Sequence, residues 1–439
     1  MTASPTTDSA MITHSTGTRL LSAPTPDLRA HLDTFGPLPR VDGVQLLAAI
    51  RRSGLTGRGG AGFPTAVKLQ AVAAAPGTAV VVANGAEGEP ASGKDRQLLL
   101  GAGHLVLDGL QIAARLTGAG QAFAYVRRDA APAIRRALAE RAAAGVDQTP
   151  VTVVEAVDAF VAGQETAVVS RLNGGPAMPQ FARVRVTERG VGGRPTLVQN
   201  VETLGHLALI ARYGDTWFRE VGTADAPGTF LATVHAGGAS HQSRWGIGAG
   251  SESGRVWEVP HGLPLGQLLD TALGESAKSL SAVLIGGYHG HWLRLPQALE
   301  APLSAAGLAP FGGSLGAGVV MPLGSSECGL EATARIVRYL AAQSAKQCGP
   351  CQFGLPNLAE LVSALAAAGR NGTGGPGAGV AAVAAVREAV GLVEGRGACH
   401  HPDGTARLVR SALEAFEQDV VLHGYGRCLA HATQPYGDL

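Results

Sequence analysis

Residues 54–68 read Gly54-Leu55-Thr56-Gly57-Arg58-Gly59-Gly60-Ala61-Gly62-Phe63-Pro64-Thr65-Ala66-Val67-Lys68. Five glycines fall within nine positions and a helix start follows, so backbone amides could approach an anionic group at a helix N-terminus. Lys68 lies one helical turn inside, placed to reach a phosphate or a second ligand. A plain flexible turn also suits this composition, in a chain with 62 glycines among 439 residues. Downstream, 79–83 (AVVVA) is a β-branched run ending at Asn84, the pattern of a buried parallel strand. Residues 104–116 carry Leu105, Leu107, Leu110, Ile112 and Leu116 on a helix, 121–126 read as a strand, and 131–144 as a helix with Pro132 in its first turn. A further strand is predicted at 151–154. This alternation predicts a doubly wound α/β sheet.

The pattern changes beyond about 220. Strands at 229–234 and 256–260, a short helix at 265–273 and a strand at 282–285 suggest a small β-grasp-like module. After about 320 the chain reads as helical, with Leu330, Ala334, Val337 and Ala341 on one face, and a Gly-rich linker at 371–379 precedes helices at 380–393 and 405–422. The expected divisions are a flexible leader at 1–44, an α/β domain at 45–220, a β module at 221–310 and a helical bundle at 311–439.

Lys plus Arg number 35 against 34 Asp plus Glu, which leaves no basic field to hold nucleic acid. Of those cations 31 are Arg and 4 are Lys, so any one Arg is weak evidence of a phosphate site. No run of 18 apolar residues would span a bilayer, and residues 1–44 lack the regions of a signal peptide. Five cysteines, at 328, 348, 351, 399 and 428, are an odd count unlike a secreted disulfide framework, so the expected setting is a reducing cytoplasm.

Three more stretches place polar groups at loop-to-helix boundaries. Asn84-Gly85-Ala86-Glu87-Gly88-Glu89-Pro90 follows a predicted strand, where ligands of open α/β sheets bind, although a solvated acidic turn is the bland alternative. Lys94-Asp95-Arg96 beyond it reads as a local ion-pair group. Phe160 to Thr166 (FVAGQET) and 192–204 (GGRPTLVQNVETL) repeat the arrangement, and Asn200 or Thr203 could simply cap a helix.

Together these four loops resemble, in the same order, the NADH-binding flavoprotein subunit of respiratory complex I and the diaphorase subunits of soluble hydrogenases and formate dehydrogenases. Where the family has GRGGAGFPTGxK, CNADExEPGxxKDR, GEETAL and PTxxNNVETL, this chain has GRGGAGFPTAVK, ANGAEGEPASGKDR, GQETAV and PTLVQNVETL. The resemblance covers roughly residues 45–435. It implies a Rossmann-like FMN-binding domain, then a β-grasp (soluble-ligand-binding) domain, then a C-terminal helical bundle of iron–sulfur type.

Carried over residue by residue, the resemblance places Gly57, Arg58, Gly59 and Lys68 around FMN, with the phosphate near Asn200 and Thr203. Asn84, Glu87, Gly163, Gln164 and Glu165 would line the isoalloxazine, and Phe63, Glu89 and Phe160 would hold NADH over it. Departures bear mainly on NADH. The family's Asp in NADE is Ala86, its first Glu of GEE is Gln164 and its first Asn of NNVE is Gln199. The KPPFPA run is Ala182-Arg183-Val184-Arg185-Val186-Thr187, and Ala71 replaces an aromatic, so NADH use is expected to be weakened.

The family's CxxCxxC and a distant fourth Cys hold a 4Fe–4S cluster. Here Ala345 stands at the first ligand, while Cys348, Cys351 and Cys399 match the others, and three thiolates fall short of the four that a Cys-ligated cubane takes. His400, His401 or a non-protein ligand could complete it. Cys328, 17 residues before Ala345, lies about 25 Å away on a straight helix and is a poor substitute. Empty thiols or a zinc site with a His are the other readings, and the balance falls against an intact cluster. The implied function is hydride transfer from NADH to FMN, then single electrons to a small iron–sulfur protein or ferredoxin. The chain would be cytoplasmic, either free or on the periphery of a larger membrane redox complex. The alternatives are an FMN protein that exchanges electrons with ferredoxin, and a non-catalytic β-grasp ligand-binding protein.

Overall fold

The computed structural model describes residues 13–14, 19–181, 184–236, 254–371 and 377–432. Its strands, in chain order, are β1 Thr13–His14, β2 Val80–Gly85, β3 Gln121–Val126, β4 Val151–Glu155, β5 Thr196–Asn200, β6 Thr229–Val234, β7 Arg255–Pro260, β8 Leu280–Ile285, β9 His291–Arg294 and β10 Val319–Gly324. The first sheet is parallel throughout, in the order β4-β3-β2-β5. Its period-2 alternation divides β2 between two cores. Val81 and Ala83 face Leu105 and Leu204, whereas Val80 and Val82 face Tyr125, Val168 and Val198. Helices Gly103–Thr117 and Val201–Arg219 cross so closely that a Cβ on Gly109 would stand 2.0 Å from the Leu204 carbonyl oxygen. Strand β2 adjoins its successor β3 on one side and the late-arriving β5 on the other. That reversal opens a crevice at the C-terminal ends of β2 and β5.

The second sheet is mixed and six-stranded, in the order β1-β7-β6-β10-β8-β9. Helix Leu265–Leu273 packs on one face through Leu268 and Leu269. The other face, with Leu284, Trp292 and Met321, packs on the C-terminal helices. These are Gly329–Ala342, Leu355–Asn371, Ala378–Val393, His401–Ala415, Glu417–Gly424 and Leu429–Ala432. Among the described residues no single helix is long and apolar enough to cross a membrane.

Two expectations need correction. A module ending at 310 misses β10, which lies between β6 and β8 in the sheet. Its short apolar run cannot be told from a buried helix by periodicity, but Pro322 disfavours helix and sits past Val319 and Val320, the residues that pair with β6. The leader at 1–44 is not loose throughout. Leu20 is buried and its amide donates to Glu258 Oε2 at 3.0 Å, while Arg19 stacks on Trp217. Asp27 caps a helix, Leu28–Phe35, that places His31 Nε2 2.8 Å from Asp108. Composition averaged over a Ser/Thr/Pro-rich segment hid these anchors. Residues 1–12 and 15–18 lie outside the described residues, as do parts of the 371–379 linker.

Candidate functional site

A cavity of about 510 Å³ opens at the ends of β2 and β5, within the roughly 300–1,000 Å³ of small-molecule pockets. Residues from the first sheet, from the loops that follow β8 and precede β10, and from helix His401–Ala415 line it. The Gly-rich loop is pinned at its base, because Gly57 N donates to Phe63 O at 2.8 Å and Arg58 N to Thr203 Oγ1 at 2.9 Å. Gly59, Gly60 and Ala61 then lie along the wall. A Cβ on Gly59 would come within 3.4 Å of the Asn200 side chain, and one on Gly88 within 2.3 Å of Phe160 O. The floor is therefore shaped by backbone.

Of the expected FMN residues, Arg58, Gly59, Asn84, Glu87, Gly163, Gln164 and Asn200 line this cavity, and Gly57 lines an adjoining one. Lys68, Glu165 and Thr203 lie behind the wall. Lys68 Nζ donates to Glu165 Oε1 at 2.6 Å and to Val198 O at 2.7 Å, and Thr203 holds the loop. Asn84 Nδ2 donates to Gly163 O at 2.8 Å, which ties β2 to the Phe160–Gly163 turn. Asn200 and Gln164 cap their helices while still facing the cavity.

Buried charge lies under the crevice. Lys94 Nζ stands 2.7 Å from Asp95 Oδ1 and 2.8 Å from Glu202 Oε2. Burial alone would raise Glu202, but Lys94, His206 and Arg58 outweigh it and hold the carboxyl at about 2. Asn200 Nδ2 donates to Asp95 Oδ2 at 2.7 Å. Glu87, at φ +44°, receives the amides of Asp95 and Arg96 and the Ser92 hydroxyl, so it caps helix Lys94–Gly101. Burial and then Asp95 push Glu87 up to about 7. Glu89 receives the Ala91 and Tyr288 amides, and burial pushes it too up to about 7. Lys94 and Asp95, read from sequence as a local ion pair, are that and cavity wall as well. Their partner Glu202 is over 100 residues away in sequence and gave no local signal.

The expected NADH residues are dispersed. Glu89 and Phe160 line the cavity, whereas Phe63 is 52% exposed outside it. Phe160 packs edge-on to His289, with ring centres 4.7 Å apart, and lies 5.4 Å from His401. Ala182 and Arg183 lie outside the described residues.

The matched cysteines converge beside the cavity. Cys351 lies in a π-helical turn, Pro350–Gly354, and its amide donates to Cys348 O at 3.0 Å. The Cys348 thiol interacts with the Ala398 amide, and Cys399 lines the cavity wall. Burial and the Cys348 thiol push Cys351 up to about 12. Neither candidate histidine completes the set. His401 Nε2 donates to Leu340 O at 2.8 Å, its Nδ1 faces His289 Nε2 at 3.1 Å, and exposed His400 faces Asp403. Cys328 is engaged elsewhere, with His423.

Comparison with known proteins agrees with this geometry. Residues 50–208 match the Nuo51 FMN-binding domain, and 331–423 match the NADH-ubiquinone oxidoreductase-F iron-sulfur binding region. The chain is 29% identical over 398 residues to the F subunit of NADH-quinone oxidoreductase in Streptomyces coelicolor, covering 87% of this chain and 83% of the relative. It is 28% identical to the F 2 subunit of the same enzyme in Rhizobium meliloti, over 86% of this chain and 88% of the relative. An NAD+-reducing [NiFe]-hydrogenase in the H2-reduced state superposes with a TM-score of 0.77 at 27% identity over 90% of this chain. This chain spans 66% of that hydrogenase chain.

Proposed function

We propose that this chain is a divergent member of the family of NADH-binding flavoprotein subunits of complex I and soluble-hydrogenase diaphorases, an FMN-dependent oxidoreductase that takes hydride from NADH and hands single electrons to an iron–sulfur partner. The observation that carries the reading is the glycine-floored cavity at the β2/β5 reversal. Its wall includes Arg58, whose buried guanidinium donates to Thr56 Oγ1 and Thr229 O and lies 4.0 Å from Glu202, and the glycine-rich backbone of Gly59, Gly60 and Ala61. Backbone amides of that glycine-rich stretch suit an anionic group. When bound there, FMN supplies an acceptor for hydride and a means of releasing electrons singly.

The chain's own residues do the rest. Gly57, Arg58 and Gly59 would cradle the phosphate end near Asn200, with Thr203 holding the loop. Asn84, Glu87, Gly163 and Gln164 would orient the ring, with Lys68 and Glu165 bracing the wall. Glu89 would meet the nicotinamide, with Phe160 and Phe63 at its margins. Residues 45–220 would form the Rossmann-like FMN unit, the six-stranded sheet a β-grasp-like unit extended to include β10, and the C-terminal helices the iron–sulfur-type unit. Cys348, Cys351 and Cys399 supply three thiolates with Ala345 at the fourth position, so this chain does not fit a four-cysteine cluster. The electron exit is a separate iron–sulfur protein or a ferredoxin, in a setting peripheral to any membrane.

FMN titration followed by anaerobic stopped-flow reduction tests this. Yellow protein reduced by NADH, saturating above the micromolar range, is expected. Failure to bind FMN would end the reading. Binding without reduction by NADH would leave the ferredoxin-coupled alternative, which the outlying Phe63 and the imidazole-packed Phe160 favour.

A further inference from the structure

The remaining cysteines form a second group, away from the crevice. Cys328, His423 and Cys428 are 6%, 0% and 3% exposed, and one donor atom from each lies within 4.8 Å of the other two. They arrive from three elements. Cys328 precedes helix Gly329–Ala342, His423 lies in the last turn of Glu417–Gly424, and Cys428 precedes Leu429–Ala432. We propose that these three side chains bind one zinc ion, which ties the ends of the C-terminal helices together.

Three features support a built site. Cys328 Sγ stands 3.5 Å from His423 Nε2. Ligands about 2.3 and 2.1 Å from a tetrahedral zinc are about 3.6 Å apart, so the pair already has the spacing of a coordination edge. His423 Nδ1 lies 3.0 Å from Leu365 O, and its N–H donates to that carbonyl. That bond fixes the tautomer that leaves the Nε2 lone pair facing the sulfur, the usual outer-shell arrangement of a metal-binding imidazole. Space for the ring is provided by Gly369, where a Cβ would lie 2.5 Å from the His423 ring, and helices Ala378–Val393 and Glu417–Gly424 close together at the Gly379–Gly424 contact.

Asp419 is a further oxygen donor beside the group. It interacts with Cys428, and its Oδ1 accepts the Leu429 amide at 2.9 Å, which fixes the turn that carries the thiol. Binding is charge-balanced. Two thiols release two protons to solvent, two thiolates neutralise the dication, and no atom changes oxidation state. The Cys348–Cys351–Cys399 group is separate, so the two sites can be tested independently, and the zinc site does not rest on the flavin reading.

The decisive material is a Cys348→Ser/Cys351→Ser chain grown with zinc and dialysed. We expect about one zinc per chain, lost on adding Cys328→Ser or Cys428→Ser. Should those variants fail to fold, cobalt(II) added to the metal-stripped double variant should give a thiolate-to-cobalt charge-transfer band, and a chelator should lower its Tm. The site is overturned by zinc that disappears with Cys348 and Cys351, by absence of both zinc and cobalt uptake, or by a Cys328–Cys428 disulfide in the mass spectrum.

Discussion

The crevice departs from the family pattern at three positions and the Cys348–Cys351–Cys399 group at one, yet the single exchange weighs more. In the crevice Ala86, Gln164 and Gln199 replace the expected residues, but Ala86 packs in the core and Gln164 still caps helix Glu165–Leu172. Shape there is set by Gly59, Gly88 and the caps, which are backbone features that tolerate side-chain exchange. In the trio one exchange, Ala345, changes a ligand count. A cleft degrades gradually and a coordination shell by whole units.

The largest effect should come from the charge beneath the cleft. Lys94, Asp95 and Glu202 are buried together, and Lys94→Ala would leave Asp95 without its cation and Glu202 with only the more distant Arg58, at 4.0 Å. A loss of about 3–5 kcal/mol in chemical denaturation is expected. A loss below about 1 kcal/mol would mean that backbone alone holds the crevice.

Gly88→Ala comes next. Its Cβ would meet Phe160 O at 2.3 Å, and the Phe160–Gly163 turn would have to move away from the cavity. Such overpacking costs about 1–3 kcal/mol, equivalent to roughly ten- to hundred-fold weaker FMN binding by titration. An unchanged Kd would show that the turn has more give than its packing indicates.

An effect of comparable size is carried by pH. The Glu89 carboxyl, raised by burial from 4.5 to about 7, binds its proton more tightly folded than unfolded. Stability from this group is therefore fully present below 4.5 and falls as pH rises towards 7, by up to about 1.4 kcal/mol per pH unit. Denaturation midpoints of wild type and Glu89→Gln across that window should converge at acid pH and separate towards neutrality. Parallel curves would place Glu89 in a wetter site.

Much of the first sheet was legible because its signals are local: the 131–144 helix matches Ala131–Ala144, and the β2 loop falls where ligands meet such sheets. Lys68 shows the limit of that reading. Its position one turn into the helix was correct, but Val198 O and Glu165 take the ammonium behind the wall. Local sequence undervalues Lys94 because Glu202 reaches it only after the chain has returned as β5. The cavity's far wall, with Gly316 and His289, comes from segments whose local patterns say nothing about a crevice.

The smallest change in packing should bring the clearest change in composition. Ala345 is half-buried in the turn after helix Gly329–Ala342, where Ala345→Cys should alter stability by no more than about 0.5 kcal/mol. It would raise the family-matched thiols from three to four, and a cubane is normally held by four. Anaerobic reconstitution should then bring iron and sulfide to about four each per chain, against a substoichiometric wild type. FMN affinity should stay unchanged, because Ala345 lies off the cavity wall. A wild type that already takes four irons would erase the contrast between cleft and coordination shell, since a non-protein ligand would then be filling the missing corner. If the variant remains iron-free, the thiols cannot open to cubane spacing, and ligand count is not what separates this chain from its relatives.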